Sequence, residues 1–458
     1  MNKQRIGYLP DERPPAGKLL LYALQQVIVM FPATIAVALI TGFQVSTTLF
    51  ASGLATICFT FITGKKLPLY YGSSFAYLSA ISGLVAAQGF AKVDGILPTE
   101  AIRIAQFGII ASGLISIAAG LIVKFAGRDF VEKILPASVT GPVAMIIGLT
   151  LAGNAIMDAA PADGQSQVVW MVSLATLLAT VLLSRYLKGF LGQLPLLIGA
   201  AFGCLVALVI YLIGGDGYNL FRALPDGALA ASAWKIGDGS IFALPAFSFP
   251  KVSWAAVAAI MPIAIATIPE STAHVYQLDI YVNDVAREKG SKKKYDMVAL
   301  LGRNLVGDGI CDMISGVIGG PAGTNYGENI STMAITRVFS VHVLIVASVI
   351  AMIMSCFTPL IKIIYGIPIA VIGGLEIYLF GAIAAQGIAI LIDKKCDMFS
   401  AKNIAVIACI ITFGLGINYA FGGTINFFGL GVPAVAGAAI FGIVLNLLLS
   451  IGEKKPAK

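Results

Sequence analysis

Glu270 and His274 stand four positions apart in the otherwise uncharged stretch 263–274. Residues at this spacing lie on one face of a helix and can touch each other. A carboxyl group and an imidazole held together in an apolar setting can take up and release a proton near neutral pH. The alternative is a cytoplasmic helix end with two solvated side chains, because a charged loop begins at Asp279.

Acidic residues interrupt apolar sequence at three further places. Glu328 stands where a short apolar helix is expected to begin, so it either accepts a hydrogen bond from a ligand or only caps that helix. Asp308 and Asp312 are also four apart, with Arg303 about a turn earlier. We expect these three to form an ion-pair network between helices. Glu376 is isolated, and packing or cavity lining is its expected role.

Residue patterns typical of membrane enzymes are missing from the sequence. There is no HExxH, GxSxG or GxxxxGK[ST] motif, and the six cysteines show no metal-ligand spacing. Two histidines are too few for a multi-histidine metal centre. Glu270 and His274 lack a nucleophile and a third metal ligand. We therefore expect a protein that is not an enzyme, with no metal and no cofactor other than a coupling proton.

The amino-acid composition requires a membrane. Of 458 residues, 58% are apolar and only 12% are charged, about half the charged share of a soluble domain, and the mean hydropathy is +0.91. A bilayer is crossed by about 20 apolar residues in a helix, and such segments number fourteen. They are 19–41, 42–64, 67–91, 104–123, 134–157, 164–184, 189–215, 252–277, 296–318, 319–336, 338–361, 363–392 and two within 403–452.

Lysine and arginine are distributed unevenly between the predicted loops. With the N-terminus in the cytoplasm, 23 of them fall on the cytoplasmic side and 6 on the other, with Arg303 inside a span. Cytoplasmic loops carry an excess of basic residues. The pattern predicts a multi-pass protein of the plasma (inner) membrane with both termini cytoplasmic. The net charge of +7 is then a topology signal, and no nucleic-acid partner is expected.

Fourteen spans divide into two halves of seven, which insert with opposite orientation. Residues 142–151 align with 368–377, with five of ten identical, and residues 71–75 align with 326–330. The matches relate span five to span twelve and span three to span ten. We therefore predict an all-α polytopic membrane protein of fourteen segments, built as two inverted seven-span repeats.

Spans three and ten each open with a polar, glycine-containing stretch, 70–74 and 320–329. Irregular backbone at membrane depth is tolerated only where protein buries it or where it lines a cavity. Ordinary loops outside the bilayer are the alternative, but span ten would then be too short to cross. We favour two half-helices whose N-termini meet near the midplane and offer backbone N–H groups to a substrate.

Residues 326–337 resemble the signature of the nucleobase–ascorbate transporter family, closest to its bacterial uracil permease branch. The family pattern is Gln or Glu, then Asn, any residue and Gly, followed after four residues by Thr-Arg. The positions that fit are Glu328, Asn329, Thr336 and Arg337. Ser331 replaces the usual glycine, and Gln25-Gln26 stands where members often have Gln-His.

The resemblance implies a core domain and a gate domain, with substrate bound between them. The core would comprise 19–130 (spans one to four) and 252–362 (spans eight to eleven). The gate would comprise 131–215 (spans five to seven) and 363–452 (spans twelve to fourteen). Short antiparallel strands would break spans three and ten. Family members are typically proton symporters and often homodimers, so a proton and a second copy of the chain are expected partners besides the lipid bilayer.

The resemblance also assigns roles to residues. The carboxylates of Glu270 and Glu328 would bind a pyrimidine ring. Phe75 and Gly327 would offer backbone groups to it, and Ala33 and Tyr326 would line the pocket. These six are the expected substrate-binding residues. The expected proton-coupling residues are Glu270, His274 and Asp308.

Uracil is a flat neutral ring with two N–H donors and two carbonyl acceptors. Carboxylates can accept from those donors while N–H groups at half-helix starts donate to the carbonyls. The resemblance, supported by this chemistry, therefore implies a proton-coupled uracil symporter. The alternative within the family is a permease for xanthine or another oxo-purine. An anion carrier is disfavoured because two carboxylates repel anions, and a channel is disfavoured by the broken helices.

Overall fold

A computed structural model describes residues 7–93, 95–126, 133–162, 164–222, 234–236, 239–427 and 430–451. Within these ranges the chain is mostly helical, with three small antiparallel sheets. The first-half helices are α1 (Ala16–Thr41), α2 (Val45–Ile62), α3 (Leu78–Ala87), α4 (Thr99–Ala126), α5 (Ala137–Thr150), α6 (Ala152–Ala159), α7 (Val168–Tyr186) and α8 (Pro195–Gly214).

The second-half helices are α9 (Trp254–Ile260), α10 (Ala264–Glu288), α11 (Leu301–Ile318), α12 (Gly327–Thr336), α13 (Val341–Ser355), α14 (Thr358–Gly366), α15 (Ile369–Asp393), α16 (Ala401–Ala420) and α17 (Ala434–Leu449). The strands are β1 (Tyr71–Ser73), β2 (Trp234–Ile236), β3 (Gly239–Phe242), β4 (Gly323–Asn325), β5 (Thr424–Phe427) and β6 (Leu430–Pro433). Strands β1 and β4 pair with each other, β2 pairs with β3, and β5 pairs with β6.

Each of the fourteen predicted segments contains a helix, and nine helices of the described chain are long and apolar enough to cross a membrane alone. The remaining segments fall short for physical reasons. Spans three and ten are part strand, α13 and α17 have 15 and 16 residues, and α11 carries three charged side chains. The helical, polytopic fold class is confirmed, while the exact number of spans stays a prediction.

Helices α5 and α15, which contain the predicted repeat match, both begin directly after a proline. Pro136 is the residue before α5, and Pro368 is the residue before α15. Pro142, which the sequence alignment matched with Pro368, lies inside α5. Proline is well tolerated at a helix start because the N–H that it lacks has no partner there. Both helices therefore begin after a proline, and the match between residues 142–151 and 368–377 stays a prediction.

Helices from opposite halves pack backbone to backbone through glycine. A Cβ atom on Gly113 of α4 would lie 2.4 Å from the carbonyl oxygen of Gly309 in α11, and one on Gly148 of α5 would lie 2.3 Å from that of Phe380 in α15. Small residues permit this close approach between membrane helices. Each pair thus joins the first half to the second.

The predicted core–gate boundary at 130–131 lies outside the described residues, and that division stays a prediction.

The segment before α1 is anchored to the loop between α10 and α11. The Lys289 ammonium donates to both carboxylate oxygens of Glu12, at 2.7 and 2.6 Å. Asp11 accepts from Lys293 at 2.6 Å and from the Tyr295 hydroxyl at 2.7 Å. Burial alone would raise the pKa of the Asp11 carboxyl, but these two hydrogen bonds outweigh it and hold that pKa below its ordinary value. The N-terminal arm is therefore tied to the second half of the chain.

Candidate functional site

Strands β1 and β4 form a buried antiparallel ribbon within the helical bundle, one strand from each half. The paired residues are Tyr71 with Asn325, Gly72 with Thr324 and Ser73 with Gly323. Helical structure follows each strand, as a 3₁₀ turn at Phe75–Tyr77 that leads into α3 and as α12 from Gly327. Because the strands run antiparallel, the two helices leave the ribbon at opposite ends with their N-termini toward it. This is the arrangement of two half-helices expected from the sequence.

A buried aspartate of α11 binds both strands of the ribbon. The carboxylate of Asp312 accepts a hydrogen bond from the Tyr71 hydroxyl of β1 and one at 2.8 Å from the backbone N–H of Gly323 in β4. Hydrogen bonds to a charged acceptor are stronger than neutral ones. Asp312 therefore fixes the register of the ribbon against α11.

A second buried aspartate, one turn earlier, joins the ribbon to α10. Asp308 accepts from the Asn325 side-chain amide at 2.9 Å and from the Ser271 hydroxyl. Arg303 is exposed and makes no ion pair with Asp308 or Asp312, all three being described residues. The expected ion-pair network is wrong, because the carboxylates have hydroxyl and amide donors nearer than any guanidinium.

Tyr326 connects the ribbon to α1. Its ring is buried, its hydroxyl donates to the Ser73 carbonyl at 3.0 Å, and the same hydroxyl lies 3.0 Å from Thr34 Oγ1. A Cβ atom on Gly72 would lie 2.2 Å from the Tyr326 ring, so only glycine fits there. Ala33, next to Thr34 in α1, is also buried. The two predicted pocket residues, Ala33 and Tyr326, therefore both lie where α1 meets the ribbon.

Gly72→Ala is expected to destabilise the protein by about 1–3 kcal/mol, because the new methyl group must displace the Tyr326 ring. Thermal unfolding of the detergent-purified protein should show a lowered midpoint. The matched control is Gly416→Ala on α16, where an added Cβ has no neighbour within 4 Å. Equal midpoints for the two variants would show that the ring has room to move.

The structure brings the two predicted substrate carboxylates together at the start of α12. Glu328 is in the first turn of α12, and its side chain is exposed although Tyr326 and Asn329 on either side are buried. Glu270 of α10 is half-buried and stands one turn before His274, whose ring lies against Gly327 at the same helix start. The helix dipole favours negative charge at this end of α12.

His274 lies against the same helix start. A Cβ atom on Gly327 would be 2.9 Å from His274 Nε2, while Nδ1 is buried and has no hydrogen-bond partner among the described residues. Within the described chain, His274 and Glu270 form no hydrogen bond with each other, although both are on α10. The imidazole therefore packs on the backbone of α12, one turn from the carboxylate.

The signature asparagine is held by α1. The side-chain amide of Asn329 donates to Gln26 Oε1 at 2.7 Å and to the Gln26 carbonyl at 3.0 Å, and both residues are buried. Gln26 thus joins α1 to α12 at a position where the family pattern differs. Ser331, the other departure from the pattern, has an exposed side chain.

Phe75 faces helices predicted to belong to the gate. Its ring lies edge-on to Phe380 of α15, with 6.3 Å between centroids. Beyond Phe380, an apolar cavity of about 130 Å³ lies between α5, α6 and α15. A polar ring needs donors and acceptors, and this cavity is lined only by Gly, Ala, Leu, Ile and Phe. The carboxylate pair is the better candidate for the binding site.

Several residues that build the site were missed from the sequence. Thr34, Ser271, Thr324 and Asn325 are buried polar side chains next to predicted positions. Their signal was present as hydroxyl and amide groups beside Ala33, Glu270 and Tyr326 within apolar segments. Such residues are common in membrane helices, so composition alone does not single them out.

The polar groups of the site suit a flat molecule that carries both donors and acceptors. The first N–H groups of a helix have no partner within it, and Phe75 and Gly327 begin two helical segments beside the ribbon. Ionised carboxylates are acceptors only, and Glu270 and Glu328 supply two. A neutral ring with both N–H and carbonyl groups complements this set.

Comparison with known sequences matches residues 17–423 to a family model described as "Permease family". The uracil permease of Bacillus caldolyticus is 35% identical over 454 residues, which are 98% of this chain and 95% of the relative. The putative pyrimidine permease RutG of Escherichia coli (strain K12) is 35% identical, covering 96% of this chain and 91% of the relative. The uracil permease of Bacillus subtilis (strain 168) is 32% identical over 470 residues, covering 100% of this chain and 98% of the relative.

Solved structures share the fold at low sequence identity. SLC26A9 superimposes with a TM-score of 0.61 at 12% identity, covering 94% of this chain, which spans 65% of the length of that chain. The transmembrane domain of the bicarbonate transporter BicA from a cyanobacterium superimposes with a TM-score of 0.54 at 14% identity, covering 94% of this chain and 96% of that domain.

Proposed function

The chain belongs to the nucleobase–ascorbate transporter family, and on that premise we propose that it imports uracil together with protons. It is a multi-pass membrane transporter and not an enzyme. Full-length similarity to several uracil permeases supports uracil as the substrate. The observation that carries the proposal is that Glu328 lies in the first turn of α12, while Glu270 lies one turn from His274, which packs on that helix start.

The proposed pose follows from hydrogen-bonding capacity. The carboxylates of Glu270 and Glu328 accept from the two ring N–H groups, and the backbone N–H groups of Phe75 and Gly327 donate to the two carbonyls. Ala33 and Tyr326 limit the depth of the pocket on the α1 side. Xanthine also carries adjacent N–H and carbonyl groups, so an oxo-purine permease is the second candidate.

Proton coupling is proposed to run through Glu270, with His274 and Asp308 in support. Two neighbouring carboxylates repel each other, so taking up one proton lowers the cost of bringing them to one substrate. Asp308 reaches α10 through Ser271, within one turn of Glu270. Alternating access would follow from movement of the proposed core (19–130 and 252–362) against the proposed gate (131–215 and 363–452).

The test of substrate identity is competition. Uptake of labelled uracil into cells expressing the protein should be suppressed by unlabelled uracil and only weakly by xanthine, at each of two external pH values. Faster uptake at the lower external pH is expected from proton symport. Stronger competition by xanthine than by uracil would favour the second candidate.

The proposed location of the protein is the plasma membrane, with both termini in the cytoplasm. Its proposed assembled form is a homodimer. The basic loop that includes Ser291 should be cytoplasmic, and the segment that includes Ser240 should face outward. In a background without native cysteines, an impermeant thiol reagent applied to intact cells should label the Ser240→Cys variant and not the Ser291→Cys variant. The reverse labelling would invert the topology.

A further inference from the structure

A second set of charged side chains lies away from the ribbon. Lys92 is in the loop between α3 and α4, Asp158 in α6, Glu376 in α15, and Arg222 after α8. The Lys92 ammonium binds the carbonyl of Ile40, and Ile40 belongs to the same buried cluster as Ala155 of α6 and Leu379 of α15, each about one turn from Asp158 or Glu376. None of them contributes to the site at Glu270 and Glu328. In the proposed topology, Lys92 and Arg222 lie on the outer side of the membrane.

Glu376 is the unusual member of this set. Its side chain is 1% exposed, and neither carboxylate oxygen has a hydrogen-bond partner among the described residues. An ionised carboxylate that is buried without partners is strongly unfavourable, whereas its protonated form is much less so. The Glu376 carboxyl group is therefore stable at this position only if a cation lies near it or if it is protonated.

The available cation comes from the other predicted domain. The Lys92 ammonium donates to the carbonyl of Ile40, in the last turn of α1, where the helix dipole also favours positive charge. Asp158 and Glu376, in contrast, are on helices in direct backbone contact, since a Cβ atom on Gly373 would lie 2.2 Å from the backbone nitrogen of Ala159. The carboxylates thus form one unit, and Lys92 approaches it from the core side.

Arg222 completes the cluster on the outer side. Its Nε donates to the carbonyl of Ile367 at 2.7 Å, just before α15, while Nη2 is buried with no hydrogen-bond partner in the described chain. Two carboxylates and two cations therefore share one region, with polar atoms of both signs unsatisfied. Such a set is held together by charge only while the carboxylates are ionised.

On the helices that pack on α15, Asp158 is the one charged residue near Glu376. Four helices pack on α15, namely α5, α6, α7 and α8. Helices α5 and α8 have no acidic or basic residue, and α6 contributes Asp158 alone. Arg185 is the only charged residue of α7 and stands at its last turn, whereas α15 contacts α7 near Ser173 at Gly374.

We propose that Glu376 is a second proton-binding site, distinct from the substrate site, that controls opening toward the outside. Ionised Glu376 and Asp158 attract Lys92 and hold the gate against the core. Protonation of Glu376 removes this attraction, frees Lys92 and allows the outer entrance to open. The proposal rests on the proposed alternating-access transport but not on the identity of the transported base.

The test is the accessibility of a buried residue beside Lys92 in substrate-free protein. Ile96 is 5% exposed, and Ile96→Cys in a background without native cysteines provides a thiol for an impermeant reagent applied from outside. The labelling rate is compared with and without Glu376→Gln at each pH, so that the titration of the thiol itself cancels. At about pH 8, Glu376→Gln should raise the rate by about tenfold or more, and at about pH 5.5 by less than about twofold.

Lys92→Gln should give the same increase at the higher pH, and the double variant should show no further increase, because both changes break one interaction. Glu100→Gln, which changes an exposed carboxylate paired with Lys251, should leave the rate unchanged at both pH values. An effect of Glu376→Gln that is equal at both pH values would assign it to packing and overturn the proposal. Additive effects of Lys92→Gln and Glu376→Gln would also overturn it.

Uracil binding by the same purified proteins is the check on folding. If Glu376→Gln does not fold, Lys92→Gln tests the same attraction. Failure of the reference protein to bind uracil would contradict the proposed function alone, since the labelling needs no substrate.

Discussion

Glu270→Gln is expected to abolish uphill accumulation of uracil while the protein still folds. An amide has nearly the same shape as a carboxyl group but cannot bind and release a proton near neutral pH. With one proton per uracil, each unit of pH difference supports about tenfold accumulation. Proteoliposomes with an imposed gradient of about one unit should therefore reach about tenfold with the parent protein and no accumulation with the variant.

Downhill exchange separates coupling from folding. Glu270→Gln should still exchange internal labelled uracil for external uracil, at a reduced rate, because the other groups of the site remain. Glu100→Gln, which changes an exposed carboxylate paired with Lys251, is the matched control and should accumulate uracil normally. Accumulation by Glu270→Gln that still follows the pH gradient would remove this residue from the coupling scheme.

Glu328→Gln is expected to weaken uracil binding by roughly ten- to a hundredfold. The amide carbonyl can still accept the ring N–H, but the bond loses its charge. A hydrogen bond to a charged group contributes about 1.5–3 kcal/mol, which corresponds to this range of affinity. Glu328→Ala should cost at least as much, because it leaves a ring donor without an acceptor. Calorimetry on purified protein measures both variants directly.

The control for Glu328 is again Glu100→Gln, which should change the uracil affinity by less than about threefold, or roughly 0.65 kcal/mol. Near-parental affinity in Glu328→Gln would move the binding site away from the start of α12. A loss in Glu328→Gln together with a gain for xanthine would instead assign this residue to the choice of base.

The sequence predicted the parts of the fold that depend on apolar length and on backbone breaks. Helices occur in all fourteen segments, and strands occur at 71–73 and 323–325 where polar, glycine-rich stretches interrupt spans three and ten. The repeat register between α5 and α15 stays a prediction, because Gly-rich apolar helices offer many similar alignments.

The candidate site was predicted as residues but not as a network. Glu270 and Glu328 stand out because acidic side chains inside apolar segments are rare, and the structure brings them together. The partners of Asp308 and Asp312 could not be predicted, because they come from β1, β4 and α10 and depend on tertiary contacts. Arg303 was expected to pair with these two aspartates only because it is near them in the sequence.

The ribbon between β1 and β4 has a consequence for biosynthesis. Tyr326 and Ser73 are 253 positions apart, so the ribosome must finish most of the chain before this site can exist. In the interval, Ser52 and Thr56 of α2 can already bind the backbone of Tyr71, which limits the number of unpaired polar groups that β1 exposes to lipid. The nascent first half can therefore remain in the bilayer with one side of its strand hydrogen-bonded, and the site is completed only when β4 and Asp312 are added late in assembly.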